Sequence, residues 1–120
     1  MDWQAFLSER PLAVLATIGR DDLPHAVPVE VVVHEGTVYA WCESGSAKVA
    51  NVRRTQKAAM LGYKGVAAAL VRGPARVLTS DHTSYAEITN AFLTKYKREE
   101  TFGNDVLVEI TPERVTAWEE

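Results

Sequence analysis

Apolar residues along the chain follow two spacings, and each spacing predicts a different kind of element. Several stretches are continuously or alternately apolar over the length of a strand, and many are rich in valine. These predicted strands cover residues 12–18, 25–34, 37–41, 58–63, 66–79, 106–110 and 115–118. Their short connections predict that most neighbours pair in antiparallel fashion.

Three other stretches repeat apolar residues at positions three or four apart, which predicts helices. The first covers residues 2–9, with Asp2 as its cap, and the second lies within residues 44–57, where Ser46 is a suitable N-cap. The third runs from residue 80 or 81 to about Lys97. Its apolar stripe consists of Tyr85, Ile88, Phe92 and Tyr96.

Prolines and glycines mark the bends of the predicted sheet. Pro28 lies inside the second strand and cannot donate a ladder hydrogen bond, which indicates an edge or a bulge. Gly73-Pro74 divides the long strand as a bulge or bend that lets a barrel curve, and Glu35-Gly36 predicts a tight hairpin. Six or seven antiparallel strands with few helices predict a mainly β fold, a small closed or split β-barrel with helical plugs. Neither G-x-G-x-x-G nor G-x-x-x-x-G-K-[ST] occurs, which argues against a Rossmann or P-loop nucleotide site.

Composition narrows the class of protein. With 120 residues, 47% hydrophobic and 24% charged, the chain has the size and balance of one folded domain, residues 1–120. A single cysteine, Cys42, excludes an internal disulfide framework and suits a reducing cytoplasm. No signal-peptide pattern and no apolar run of membrane-spanning length occurs, so we expect a cytoplasmic protein without a membrane partner.

Lys48 is the unusual residue of the short second helix. It lies in the first helical turn, where the helix dipole is already positive and a lone cation is mildly unfavourable. An anion bound at this position would make the lysine favourable there, because free amides, the Ser46 hydroxyl and the Lys48 ammonium would all point at the anion. The pattern predicts a phosphate-binding corner; a solvated basic helix face, with Arg53 and Arg54 favoured by the dipole, is the alternative.

Basic residues are concentrated around this helix. The net charge is −3, yet residues 44–80 contain no aspartate or glutamate. The basic residues of this stretch are Lys48, Arg53, Arg54, Lys57, Lys64, Arg72 and Arg76. One basic wall on an acidic protein favours a small anionic ligand over a nucleic-acid backbone. We therefore expect a small-molecule substrate and no nucleic-acid partner.

Several short motifs occur in order through nearly the whole chain. They are Phe6-Leu-Ser-Glu-Arg10 before a Leu-Ala-Thr-Ile strand, Pro24-His-Ala-Val-Pro28-Val, Ser46-x-Lys48-x-x-Asn51-x-Arg53-Arg54, Val71-Arg-Gly73-x-Ala-Arg-Val77, and Val-Glu-Ile-Thr-Pro-Glu-Arg-Val-Thr-Ala-Trp118. With these motifs the chain resembles the pyridoxamine-phosphate-oxidase-like split-barrel flavoproteins. Within that family it resembles the deazaflavin (coenzyme F-420)-dependent branch in particular.

The resemblance implies an FMN-binding type of split barrel that forms a homodimer, with two cofactor sites at the subunit interface. The hairpin around Lys64-Gly65 would then reach the pocket of the other subunit. Thr55-Gln56 departs from the family, which often has Asp-Pro after the two arginines. The family pattern assigns the cofactor phosphate to Ser46, Lys48, Asn51 and Arg53. It places Val27, Pro28, Val29 and Glu30 along the flavin ring, and the strand that ends in Trp41 supplies further cofactor contacts.

The activity implied by the resemblance is hydride transfer from reduced coenzyme F-420 to a conjugated organic acceptor. Such a reaction needs no paired acid and base, because the cofactor supplies the chemistry, and we name no catalytic residue. An FMN-dependent oxidase or reductase of the same fold is the first alternative. A non-catalytic carrier or sensor of flavin or heme is the second.

A metal site is not expected. The histidines and the cysteine are His25, His34, His82 and Cys42, and no two of them have the spacing of a tight ligand pair. Nothing near Cys42 marks it as a reactive thiolate. The tryptophans are expected in the core or at a dimer interface, with Trp41 close enough to the basic corner to contact a ligand.

Overall fold

The computed structural model describes residues 1–101 and 103–119, and within them it contains three helices and eight strands. More of the described chain is strand than helix, as predicted. The elements in chain order are α1 (Trp3–Ser8), β1 (Ala13–Ile18), β2 (Pro24–Val29), β3 (Val31–His34), β4 (Thr37–Glu43), α2 (Ala47–Thr55), β5 (Lys57–Lys64), β6 (Ala67–Leu78), α3 (Tyr85–Tyr96), β7 (Asp105–Ile110) and β8 (Arg114–Trp118).

The strand count is eight instead of the predicted six or seven, because the predicted strand 25–34 is two strands. They separate at Glu30, where the chain leaves one partner and joins another: Val29 pairs with Ala13 of β1, and Val31 pairs with Ala40 of β4. Valines continue through the break, so hydrophobicity alone does not reveal it. The prediction of an edge at Pro28 is confirmed, because β2 is the first strand of the sheet order.

The strands form one antiparallel sheet in the order β2-β1-β5-β6-β7-β4-β3, with β8 paired to β6. The two ends of this order, β2 and β3, are joined through Glu30 alone, so the sheet curls back on itself into the expected split barrel. The residues that β6 pairs with β5 end at Pro74, and those that it pairs with β7 begin at Ala75. Gly73-Pro74 therefore marks a change of partner within one continuous long strand, at the place where a bulge or bend was predicted.

Two hydrophobic clusters fill the molecule. One lies inside the curled sheet and includes Leu15, Met60 and Val71, which are fully buried. The other lies between the outside of β4, β6 and β7 and the helix α3, with Phe92 at its centre. Among the described residues no helix is both long and apolar enough to cross a bilayer.

The helices follow the predictions with two differences in detail. The Asp2 carboxylate caps α1 by accepting hydrogen bonds from the amides of Gln4 and Ala5, as predicted. Ser46 occupies the N-cap position of α2, but its hydroxyl donates to the carbonyl of Glu43 and makes no cap bond. The third helix begins at Tyr85, later than predicted, because the preceding residues form hydrogen-bonded turns.

The outward face of β8, β6, β5, β1 and β2 forms an open apolar surface, here called the open face. Cross-strand partners share a face, and the fully buried partners Met60 and Val71 define the inner one. Outward residues such as Leu70 and Leu61 are half-buried, whereas Tyr63 and Trp118 keep 58% and 44% of their surface exposed. The outward residues are Trp118, Thr116, Arg114, Ala68, Leu70, Arg72, Tyr63, Leu61, Ala59, Lys57, Val14, Ala16, Ile18, Pro28, Ala26 and Pro24.

Candidate cofactor site

A cavity of about 280 Å³ opens where β2, β4, α2 and the end of α3 meet. We call it the tryptophan cavity, after Trp41 in its wall. It brings together five of the residues predicted to contact a cofactor, which are Pro28, Val29, Glu30, Trp41 and Lys48. Leu12, Cys42, Glu43, Arg98 and Asp105 complete its lining.

Trp41 is a rigid part of this wall. Its ring meets Phe92 of α3 edge-on, with the ring centroids 5.3 Å apart, and only 8% of its surface is exposed. The Arg98 guanidinium lies 5.6 Å from the centroid of the same ring and pairs with the Glu30 carboxylate through both nitrogens. A planar apolar wall bordered by an ion pair suits a planar, partly polar ligand such as a flavin ring.

The last turn of α3 fixes the break between β2 and β3 beside this cavity. The Tyr96 hydroxyl accepts a hydrogen bond from the Val31 amide at 2.9 Å and donates to the Pro11 carbonyl at 2.9 Å. The Lys95 ammonium donates to the carbonyls of Val31 at 2.6 Å and Arg10 at 2.8 Å. Burial, with repulsion from Arg10, lowers the pKa of Lys95 to about 8.

A second cavity, a groove of about 500 Å³, lies along α2 and is here called the arginine groove. It contains Ser46 and Arg53 from the predicted set, and its other lining residues are Arg20, Ser44, Gly45, Ala50 and Arg54. The lining has three guanidinium groups and no carboxylate. Lys48, in the first turn of the same helix, faces the tryptophan cavity instead, so α2 contributes to both.

Two predicted residues line neither cavity. Val27 is half-buried and packs against the cluster inside the barrel. Asn51 is 5% exposed; its amide nitrogen donates to the Thr17 hydroxyl at 3.1 Å, and its oxygen accepts from Arg54 at 3.2 Å. The contacts of Asn51 therefore place it beneath the groove, where it holds Arg54.

The histidines and the cysteine do not come together. The His34 ring pairs with Glu87 of α3 at 2.9 Å and lies 3.9 Å from Glu35, an arrangement that ties the β3–β4 hairpin to α3. Burial raises the pKa of the Cys42 thiol to about 12, although nearby Lys48 opposes the shift. The thiol is therefore protonated at neutral pH, even though Cys42 lines the tryptophan cavity.

A third cavity, of about 460 Å³, lies on the open face and has largely apolar walls. Ala16, Ile18, Pro24 and Ala59 are among its lining residues, together with a few charged side chains at its edge. No described element of the chain covers this sheet face. The cavity therefore suits contact with another protein surface better than it suits binding of a phosphate.

Sequence reasoning assigned no cofactor contact to several lining residues, among them Leu12, Arg20, Arg98 and Asp105. Leu12 and Asp105 lie outside the segments for which cofactor contacts were predicted, and Arg98 looks from the sequence like an ordinary cation at a helix end. Arg20 lies in a polar turn between β1 and β2, where a charged residue has no special meaning. Only the charge excess of the basic stretch hinted that further cations would converge on α2.

Comparison with known proteins identifies the family of the chain. The family model described as pyridoxamine 5'-phosphate oxidase matches residues 2–119. The chain belongs to this family. No curated protein matches the sequence. As a member of the pyridoxamine 5'-phosphate oxidase family, the chain shares a fold that is associated with flavin binding.

Solved structures similar to this pyridoxamine 5'-phosphate oxidase family member differ in what they are described to do. A conserved hypothetical protein of Mycobacterium tuberculosis has a TM-score of 0.80 and 21% identity, covering 97% of this chain and 81% of its own. An F-420 reductase has a TM-score of 0.78 and 14% identity, covering 97% of both chains. HutZ, a heme storage protein of Vibrio cholerae, has a TM-score of 0.81 and 12% identity, covering 94% of this chain and 89% of its own. Identities at this level show a common fold alone.

Proposed function

We propose that the protein is an oxidoreductase that binds a flavin-type cofactor, the deazaflavin coenzyme F-420, and transfers hydride to a conjugated organic acceptor. The proposal rests on one observation: α2 borders two cavities whose linings differ in chemistry. The tryptophan cavity combines the apolar and aromatic side chains of Pro28, Val29 and Trp41 with charged groups of both signs, whereas the arginine groove has cations only among its charged groups. A flavin-type cofactor has the same division, with a planar ring at one end and phosphate at the other.

The residues fit such a cofactor. Pro28, Val29, Glu30 and Trp41 would lie along the ring, and Lys48, with Ser46 and Arg53 nearby, would hold the phosphate. Asn51 would act one layer below, because its side chain is committed to Thr17 and Arg54. When bound, the cofactor supplies the hydride chemistry; the chain supplies position, charge and exclusion of water.

Glu30 has a defined part in this arrangement. Its carboxylate is paired with Arg98, so the negative charge beside the ring is balanced and held against the Trp41 wall. The backbone at the adjacent Val31 is fixed by Tyr96 and Lys95. These contacts keep the ring-binding strand in one position, which an accurate hydride transfer requires.

We also propose that two copies associate through the open face. Exposed side chains such as Tyr63 and Trp118 form part of an apolar surface larger than scattered single residues would give. Pro28 belongs both to this face and to the tryptophan cavity, so a second copy seated there would border the cofactor site. The small-molecule acceptor would then enter beside the subunit interface.

Titration of the full-length protein with coenzyme F-420 and with FMN, followed by tryptophan fluorescence, tests the cofactor. We expect saturable quenching with a clear preference for the deazaflavin, reduced in a Trp41→Phe variant because Trp3 and Trp118 lie outside the cavity. Selective FMN binding would make the protein an FMN-dependent oxidase or reductase. Binding of neither would overturn the proposal, and heme binding alone would favour a carrier.

Lys48→Ala tests the phosphate contact. The loss of a charge-assisted hydrogen bond should weaken cofactor binding by about 1.5–3 kcal/mol. Lys97→Gln is the matched control, because it also removes one positive charge from an exposed helix end and lines neither cavity. Equal affinity of Lys48→Ala and the control, with intact folding by circular dichroism, would remove Lys48 from the site.

A further inference from the structure

We propose that His34, Glu35 and Glu87 form a surface site for a divalent cation of the zinc class, which would join the β3–β4 hairpin to α3. One ring nitrogen of His34 and one carboxylate oxygen of each glutamate all lie within 4.8 Å of one another. None of the three residues lines the tryptophan cavity or the arginine groove. This cation site is therefore separate from the proposed cofactor site and independent of the proposed function.

A strand end, a tight turn and a helix supply the three ligands. His34 is the last residue of β3, and Glu35 follows it in a turn with Gly36. Both turn residues have positive φ, 50° and 78°, the geometry of a two-residue hairpin turn that holds the Glu35 backbone beside His34. Glu87 lies in the first turn of α3, 53 residues further along the chain. The spacing of histidines and cysteine could not predict this group, because two of its members are carboxylates.

The hydrophobic cluster beneath α3 holds the ligands in place. Val32 is buried under α3, and His34 lies two residues further along β3, so both side chains point to the same side of the sheet. On α3, Ile88 follows Glu87 and is almost fully buried in the same cluster. The His34 ring and the Glu87 carboxylate then meet at 2.9 Å at the edge of the cluster. A cation would bind to positions that the core already fixes, which limits the entropy lost on binding.

The distances fit a single metal ion. Ligand atoms that bind Zn²⁺ at about 2.0–2.2 Å in tetrahedral geometry lie about 3.4 Å from one another. The distances from His34 Nε2 to the carboxylate oxygens are 2.9 Å for Glu87 and 3.9 Å for Glu35, on either side of that value. The side chains of Glu35 and Glu87 are 83% and 61% exposed, so small rotations can bring their oxygens to equal distances from an ion. The remaining coordination position would be open to water.

The ligand types select the class of cation. One imidazole with two carboxylates suits Zn²⁺, Co²⁺ or Ni²⁺, whereas Mg²⁺ and Ca²⁺ prefer oxygen ligands alone. With a neutral imidazole the group carries two negative charges, which a divalent cation balances fully and a proton on His34 balances only in part.

Glu35 separates a metal site from an ordinary ion pair. A pair between His34 and Glu87 explains their 2.9 Å contact without any metal. The Glu35 oxygen lies 3.9 Å from the same ring nitrogen, which is beyond hydrogen-bond distance. Removal of the Glu35 charge should therefore spare the ion pair but remove one ligand of a metal ion.

Calorimetric titration of the metal-free, full-length protein with Zn²⁺ tests the site. We expect one equivalent to bind, and His34→Gln and Glu35→Gln should each weaken binding about tenfold or more because each removes a ligand. Glu99→Gln and His82→Gln are the matched controls, since they lie outside the cluster and should leave the affinity within about twofold. Absence of saturable binding, or equal weakening in the controls, would overturn the proposal.

Thermal denaturation distinguishes the metal site from the ion pair. Zn²⁺ at about ten times its dissociation constant should raise the melting temperature of the parent protein by about 5 °C, because the ion binds the folded chain. Without metal, Glu35→Gln should melt with the parent; at the same Zn²⁺ concentration it should lose most of the shift. Mg²⁺ at that concentration should give no shift. A Zn²⁺ shift that survives Glu35→Gln, or an equal shift with Mg²⁺, would overturn the three-ligand site.

Discussion

The sheet has two outward faces with similar residues, but one face is covered by a helix and the other is partly exposed. On the side formed by β4, β6 and β7, helix α3 covers the sheet, and Phe92 is fully buried among Trp41, Leu78 and Leu107. On the open face, Leu61 and Leu70 are half-buried and Tyr63 is 58% exposed. The chain therefore covers one of its two outer sheet faces with its own helix, whereas the open face has no such cover among the described residues.

This difference shows where function lies in the fold. The face closed by α3 fixes the wall of the tryptophan cavity through the contact of Trp41 with Phe92. The open face reaches the same cavity from the other side through Pro28. One face thus supports the wall of the cavity, and under the proposed dimer the other face is where a second copy would border it.

The largest effect is expected from Phe92→Ala, which removes the centre of the covered face. Truncation of a fully buried phenylalanine should lower the free energy of unfolding by about 3–5 kcal/mol through lost burial and the cavity that remains. Tyr63→Ala on the open face is the aromatic control and, at a protein concentration where the subunits are dissociated, should change stability by no more than about 0.5 kcal/mol. Urea denaturation measures both; similar losses would show that the two faces do not differ.

A smaller effect is expected at Gly73, where β6 changes from one partner strand to the other. A β-carbon there would lie 2.0 Å from the Thr111 carbonyl oxygen and 3.0 Å from the Glu113 amide nitrogen, both backbone atoms. Gly73→Ala should therefore destabilise the protein by about 1–3 kcal/mol. Gly45→Ala meets no atom within 4 Å and is the control in thermal denaturation. Equal melting temperatures would contradict the close packing at this junction.

The smallest effect on folding, but a clear one on assembly, is expected from Leu70→Glu on the open face. Two carboxylates brought to an apolar interface lose hydration, so the variant should sediment as a monomer at micromolar concentration while the parent sediments as a dimer. Thr94→Glu, at an exposed position of α3, should sediment as the parent does. A monomeric parent protein would refute the interface through the open face.

Much of the fold could be predicted because its signals are local. The cap of α1 depends on Asp2 alone, and the edge at Pro28 follows from a missing amide donor. The split at Glu30 could not be predicted, since it depends on which strands pair with Val29 and Val31. Five predicted contacts meet in the tryptophan cavity, but the sequence could not show that Asn51 turns inward to Thr17.

The sequence by itself determined the split-barrel family, the basic helix α2 and the residue types that a phosphate needs, because motifs and charge are properties of neighbouring residues. The tertiary structure alone decided which cations share a groove and which wall faces them. Arg20 meets Arg53 and Arg98 meets Trp41 only after strands distant in sequence have paired. Convergence of this kind depends on long-range register, which no local pattern of residues contains.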